Sequence, residues 1–341
     1  MRYMQAHTAS SHDVRYAYAA GRIRSLETKL LGRQRLERLA EAKDLDEVLR
    51  LLADTAYAEH LDEVEDFGYE RFLTNEEARL LDLVDSLSLD KRVSDVFRMK
   101  YDFHNLKVAL RETLSGRDLG HLYVELGTCD PKEFAERLGS ESSDRLPGPL
   151  AGAARAGLDA YSRSSDPGQM DTAIDRFMFS HFLDVAASYG AVYVDAIVRT
   201  WIDVANIRTF MRARFLGMDP RSLQGMLFEG GFTNLEDFTQ TFALPLEEAL
   251  PRFAFSPYKR IIEVGGTTLE AHKSFVGLER EIDSYLVSFL RLARYFTFGL
   301  EIVLAYALVR QNEIRAMRVI LAAKEKGLAG DVIKERIADA E

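Results

Sequence analysis

The stretch KYDFHNLKVALR, Lys100 to Arg111, is written twice more along the chain: as WIDVANIRTFMR from Trp201 to Arg212 and, more loosely, as LVRQNEIRAMRV from Leu308 to Val319. Set on Asn105, Asn206 and Glu313, each copy reads a polar residue, then Leu or Ile, then Lys or Arg. A second phrase precedes each copy: YERFL at Tyr69–Leu73, IDRFM at Ile174–Met178 and IDSYL at Ile282–Leu286. It runs apolar, acid, any, aromatic, aliphatic, and its acids are Glu70, Asp175 and Asp283. Two independent phrases recurring in one order mark a threefold internal repeat with a unit of about 105 residues. The repeat units are read as 15–117, 118–217 and 218–341, after a flexible extension over 1–14.

Composition agrees with helices. Of 341 residues, 47% are hydrophobic and 29% charged, while prolines number only 8, so Leu, Ala, Glu and Arg dominate an all-α chain. Between the acid and base phrases of each unit lie SLSLD (Ser86–Asp90), SYG (Ser188–Gly190) and Gly299, places where a helix breaks or turns. Reversal there predicts an antiparallel helix pair in each unit, bringing Glu70 level with Lys107, Asp175 with Arg208 and Asp283 with Arg315. The competing reading is a continuous helix through Gly190 or Gly299, since one glycine costs a helix only about 1 kcal/mol. DLDEVLRLLADTAY, DPKEFAERLG and NLEDFTQTFA each open on a capping Asp or Asn and carry apolar residues at helical spacing. Gly116, Gly217 and Gly327 read as helix stops. The Ser, Gly and Pro-rich stretch over 139–171 reads as a surface loop.

Net charge of −10 gives nucleic-acid binding no electrostatic support. The single cysteine, Cys129, excludes an internal disulfide and fits a reducing compartment. The most apolar run, YFTFGLEIVLAYALV, carries Glu301 and falls short of the roughly 20 residues of a membrane span. None of the 7 histidines has a second His or a Cys one helical turn away, and His104 is matched by Ala205 and Asn312 in the other copies. The doublets Gly230-Gly231 and Gly265-Gly266 lack the Gly-Lys-Ser/Thr of a phosphate loop. No catalytic, cofactor-binding or metal site is read. The nine residues Glu70, Asn105, Lys107, Asp175, Asn206, Arg208, Asp283, Glu313 and Arg315 are instead a structural motif, because catalytic sets are single and asymmetric. Charge is uneven as well, with bases crowded between Arg15 and Arg38 and acids between Asp44 and Glu70.

Taken in order, YAYAAGRIRSLETKLL, KYDFHNLKVALR, WIDVANIRTFMRAR and NEIRAMRVILAAKEKGL resemble the C subunit of archaeal and bacterial V/A-type rotary ATPases, the counterpart of the eukaryotic vacuolar ATPase d subunit. The third copy departs from the first two, with Glu313 for Asn and Arg310 where Asp102 and Asp203 stand. The resemblance implies a pseudo-threefold helical funnel and a non-catalytic rotor subunit without cofactor or small-molecule substrate. Its implied partners are the central-stalk shaft and the membrane proteolipid ring, on the cytoplasmic face as a peripheral protein. There it would link ATP hydrolysis or synthesis to H+ or Na+ transport. The rival expectation is a helical-repeat adaptor that scaffolds soluble proteins.

Overall fold

A computed structural model describes residues 13–139 and 146–337. Most of the extension over 1–14 and the tip of the stretch over 139–171 therefore lie outside the described residues. Every regular element among the described residues is a helix. The longest are α1 (Ala17–Glu27), α2 (Tyr69–Leu87), α3 (Lys91–Ser115), α4 (Pro149–Ser164), α5 (Pro167–Tyr189), α6 (Val192–Phe215), α7 (Lys259–His272), α8 (Val276–Arg291) and α9 (Leu300–Glu325).

Local chemistry sets their bounds. Asp90 caps α3 by accepting the Arg92 N–H, and Asp166 caps α5 from the Gly168 N–H, with Pro167 preset for the first helical position. Gly116 and Gly190 end α3 and α5 in the left-handed region, at φ 65° and 78°, which an L side chain adopts at a cost. Gly299, at φ 139°, starts α9. The chain thus breaks at all three predicted places, and no helix runs through Gly190 or Gly299. The three short capped segments are also helical, over Leu45–Leu52, Pro131–Gly139 and Leu235–Thr241, with Val48, Phe134 and Phe238 buried.

One expectation fails. The stretch over 139–171 is not a loop along most of its length, because Pro149–Ser164 is helical and α5 has begun by Pro167. Its small residues serve close packing. A Cβ on Gly157 would press on Ile174 and Met170, and one on Gly152 would overlap the Phe177 ring, so glycine lets α4 lie tightly on α5.

Compactness divides the chain differently from the sequence repeats. A larger body gathers the described parts of Met1–Leu87, Phe210–Met218 and Glu236–Glu341, and a smaller one gathers Ser88–Thr209 and Asp219–Leu235. In the larger body α2 packs on α9, α9 also meets α8 and α1, and α7 pairs with α8. A ring cluster of Phe210, Phe238, Phe242 and Phe253 fills part of its core. In the smaller body α5 packs on both α4 and α3, and the edges of Phe97, Phe103, Phe182 and Trp201 interlock.

Candidate functional site: a clamp repeated three times

Asn105, on α3, grips the backbone of one residue in the segment that comes after the helix. Its amide nitrogen donates to the Val124 carbonyl at 2.8 Å, and its oxygen accepts the Val124 N–H at 2.9 Å. Asn206, on α6, repeats the grip on Phe228, with both bonds at 2.8 Å. An amide side chain carries a donor nitrogen and an acceptor oxygen side by side, so it can donate to a backbone carbonyl and accept from the N–H of the same residue. Both asparagines are fully buried, so each bond is made where water does not compete.

One helical turn before each Asn stands a buried Asp that holds the same segment further along. Asp102 accepts the Thr128 N–H at 2.9 and 3.0 Å, the Thr128 hydroxyl at 2.7 Å and the Cys129 N–H at 3.1 Å. Asp203 accepts the Phe232 N–H at 2.9 Å and the Thr233 N–H at 3.1 Å. The approach needs a glycine. A Cβ on Gly127 would overlap the Asp102 carboxylate, and one on Gly231 the Asp203 carboxylate. Burial pushes the Asp102 carboxyl above its ordinary value of 3.8, against the opposing pull of the Thr128 and Cys129 donors.

The third copy has the same positions and different chemistry. Glu313 accepts the Leu31 N–H at 2.5 Å and the Tyr57 O–H at 3.0 Å, and it pairs with Arg310, one turn before it on α9. Arg310 also binds Glu76 at 3.0 Å and lies over the Tyr57 ring at 4.2 Å. Burial raises the Glu313 carboxyl and the Tyr57 phenol above their ordinary values. Burial alone would lower the Arg310 guanidinium, but Tyr57 and Glu313 outweigh it and hold Arg310 above its ordinary value. A cavity of about 400 Å³ lies beside this clamp, lined by Leu30, Leu31, Leu36, Val287 and Tyr306 as well as Glu313.

The acid–base pairs run mostly between repeats and not within them. Asp283 and Arg315 pair at 3.0 Å, as expected. Lys107, however, binds Asp175 at 2.7 Å in place of Glu70, and Glu70 binds Arg318 at 3.0 Å. Asp175 was expected opposite Arg208, which sits half-buried on α6 two residues past Asn206. The reason is geometric. Residues two apart on a helix point about 200° away from each other, so the Asn turns to its own trailing segment while the base turns to a neighbouring helix. For α3 that neighbour is α5, the acid helix of the next repeat; on α9 Arg315 turns to α8 of its own repeat, and it is Arg318, one turn further on, that reaches Glu70 on α2.

The sequence reading missed several members. Arg111 pairs with Asp171, and Arg212 with Glu279 at 3.5 Å, matched links one turn beyond the phrase base. The glycines were also missed. Their signal was present in ELGTCD and EGGFTN, which stand at nearly the same distance after each Asn phrase and end on the cap of a short helix. Among the described residues, no group of three or more His, Cys, Asp or Glu side chains is disposed to hold a metal ion.

Chemically, the arrangement fastens backbone to helix. Comparison with known proteins meets it at this point, for the family described as ATP synthase (C/AC39) subunit matches residues 19–336. The chain belongs to that family. Relatives include the C subunit of the A-type ATP synthase of Thermococcus kodakarensis, 26% identical over 336 residues covering 95% of this chain and 90% of the relative. The C subunit of the V-type sodium ATPase of Enterococcus hirae is 22% identical over 316 residues, 92% of this chain and 95% of its own length. The corresponding A-type protein of Methanocaldococcus jannaschii is 24% identical over 341 residues, 94% and 85% of the two chains. The C/AC39 subunit is a structural, non-catalytic member of the A/V-type ATP synthase. No helix among the described residues is long and apolar enough to cross a membrane.

Proposed function

We propose that this C/AC39 subunit is the socket of the rotor, joining the central-stalk shaft to the membrane proteolipid ring on the cytoplasmic face. Rotation would then link ATP hydrolysis or synthesis to the transport of H+ or Na+. The observation that carries the reading is a family match along nearly the whole chain, coinciding with a clamp repeated three times. A part that transmits torque must be stiff, and buried clamps fix the segments after the long helices instead of leaving them loose. The stretch from Asp44 to Glu70 suits a shaft that presents basic residues, since Asp46, Asp54, Glu59, Asp62, Glu65 and Asp66 are all exposed.

The test is recovery of the tagged chain from detergent-solubilised native membranes, with partners identified by mass. Ring and central-stalk subunits in fixed proportion support the socket. Soluble partners alone, with no ring or stalk, would end that reading and favour an adaptor. Reversing Asp62, Glu65 and Asp66 to lysine is expected to weaken shaft binding and flatten its salt dependence. Unchanged binding would move the shaft contact elsewhere.

A further inference from the structure

Helix α1 and the turn of 3-10 helix before it, Val14–Tyr16, bury one side and present a quite different one to solvent. Tyr16, Ala19 and Ile23 are buried. On the other side, Arg15 in the 3-10 turn, Arg22 on α1 and Lys29 in the turn after it are all exposed, a line of bases spaced along the segment. Arg15 also holds Asp13 at 2.7 Å, while remaining 74% exposed. Beside that line stand Tyr18, 73% exposed, and Val14, 69% exposed. Tyr295, also 73% exposed, belongs to a turn held against α1, because Arg24 donates to the Ala293 and Phe296 carbonyls at 3.3 and 3.0 Å. The two acids between Val14 and Ala40, Glu27 and Glu37, are half-buried and paired with Arg24 and Arg33. On a chain of net charge −10 this basic face is a local exception.

We propose that this face rests on an anionic phospholipid surface. Bases along a helix, with the exposed Tyr18 phenol beside them, match the headgroup layer, where cations meet phosphates and tyrosines sit at the boundary. An acidic protein loop would account for the bases but not for the Tyr18 ring standing out into solvent among them. The inference rests on the peripheral, membrane-facing reading above for its setting, and adds the lipid as a direct partner.

The experiment is co-sedimentation of the full chain with vesicles of equal parts phosphatidylglycerol and phosphatidylcholine, and with phosphatidylcholine alone. Binding to the anionic vesicles only is expected, and it should be lost at roughly 0.5 M salt. The triple variant R15E/R22E/K29E, which touches only exposed side chains, should bind at least about a hundredfold more weakly. Tyr18→Ala should weaken binding several-fold and leave the salt dependence in place. No binding to anionic vesicles, or equal binding by the triple variant, would overturn the proposal. So would capture of purified ring in detergent that the triple variant loses while vesicles are never bound, since the face would then meet protein. Vesicle binding by a chain that recovers neither ring nor stalk would leave this inference standing and remove the socket.

Discussion

Asn105 and Asn206 grip peptides 19 and 22 residues downstream, whereas Glu313 reaches across 282 residues to Leu31 and 256 to Tyr57. The first two clamps hold the segment their own helix runs into. The third holds a segment from the other end of the described chain. A neutral amide suits the first task, because it answers both backbone polar groups of one residue. A carboxylate only accepts, so Glu313 takes an N–H from one residue and an O–H from another, and needs Arg310 as its counter-charge. Closing the longer separation costs about 2 kcal/mol more in chain entropy than closing twenty residues. The difference teaches that equivalent positions in a repeat protein can keep a mechanical role while exchanging its chemistry, once their partners come from a distant part of the chain.

The comparison can be broken most severely at Arg310. Arg310→Ala leaves the buried Glu313 without its cation and Glu76 with Arg79 alone, and is expected to cost about 3–5 kcal/mol in denaturant unfolding. A loss below about 1 kcal/mol would mean that the third clamp carries little. Next come Asn105→Asp and Asn206→Asp, which keep one acceptor and turn the donor into a second acceptor facing a carbonyl. Each is expected to cost about 2–3 kcal/mol, with Asn206→Asp at the upper end because Phe228 is more deeply buried than Val124. The same melts on Lys107→Ala and Arg315→Ala should register at most about 1 kcal/mol. Lys107, half-buried against Asp175, should lose more than Arg315, which is 56% exposed. The smallest effect is in pH dependence. Burial raises the folded Asp102 carboxyl above 3.8, so its contribution is full below that pH and fades as pH rises through the folded value. Unfolding titrations should therefore find the advantage of wild type over Asp102→Asn largest in acid and shrinking toward neutrality.

Much of the fold was legible because glycine and capping chemistry act locally. Gly190 and Gly299 break helices wherever they meet a turn, and Asp44, Asp90 and Asp166 each cap the helix that begins just after them. The equivalence of Asn105, Asn206 and Glu313 was legible too, since period alone reveals it. What period cannot reveal is the partner. In a repeated chain the acid of a unit is equally well placed in sequence to meet the base of its own unit or of a neighbour, and only packing chooses. Hence Asp283 found Arg315, while Asp175 found Lys107. The helix at Pro149–Ser164 was hidden by a composition usual for loops, where glycines serve contact with α5.

The central claim is that one repeated phrase acts as three backbone clamps, and hydrogen exchange at the Leu31, Val124 and Phe228 amides tests it most directly. Each amide lies outside the helices and donates to one clamp side chain. All three should exchange far more slowly than neighbouring loop amides. Glu313→Ala should release Leu31 alone, and Asn105→Ala or Asn206→Ala should release Val124 or Phe228 alone, because each removes the accepting oxygen. Exchange at ordinary loop rates in the wild-type chain, or release of all three amides together by any one substitution, would contradict the account.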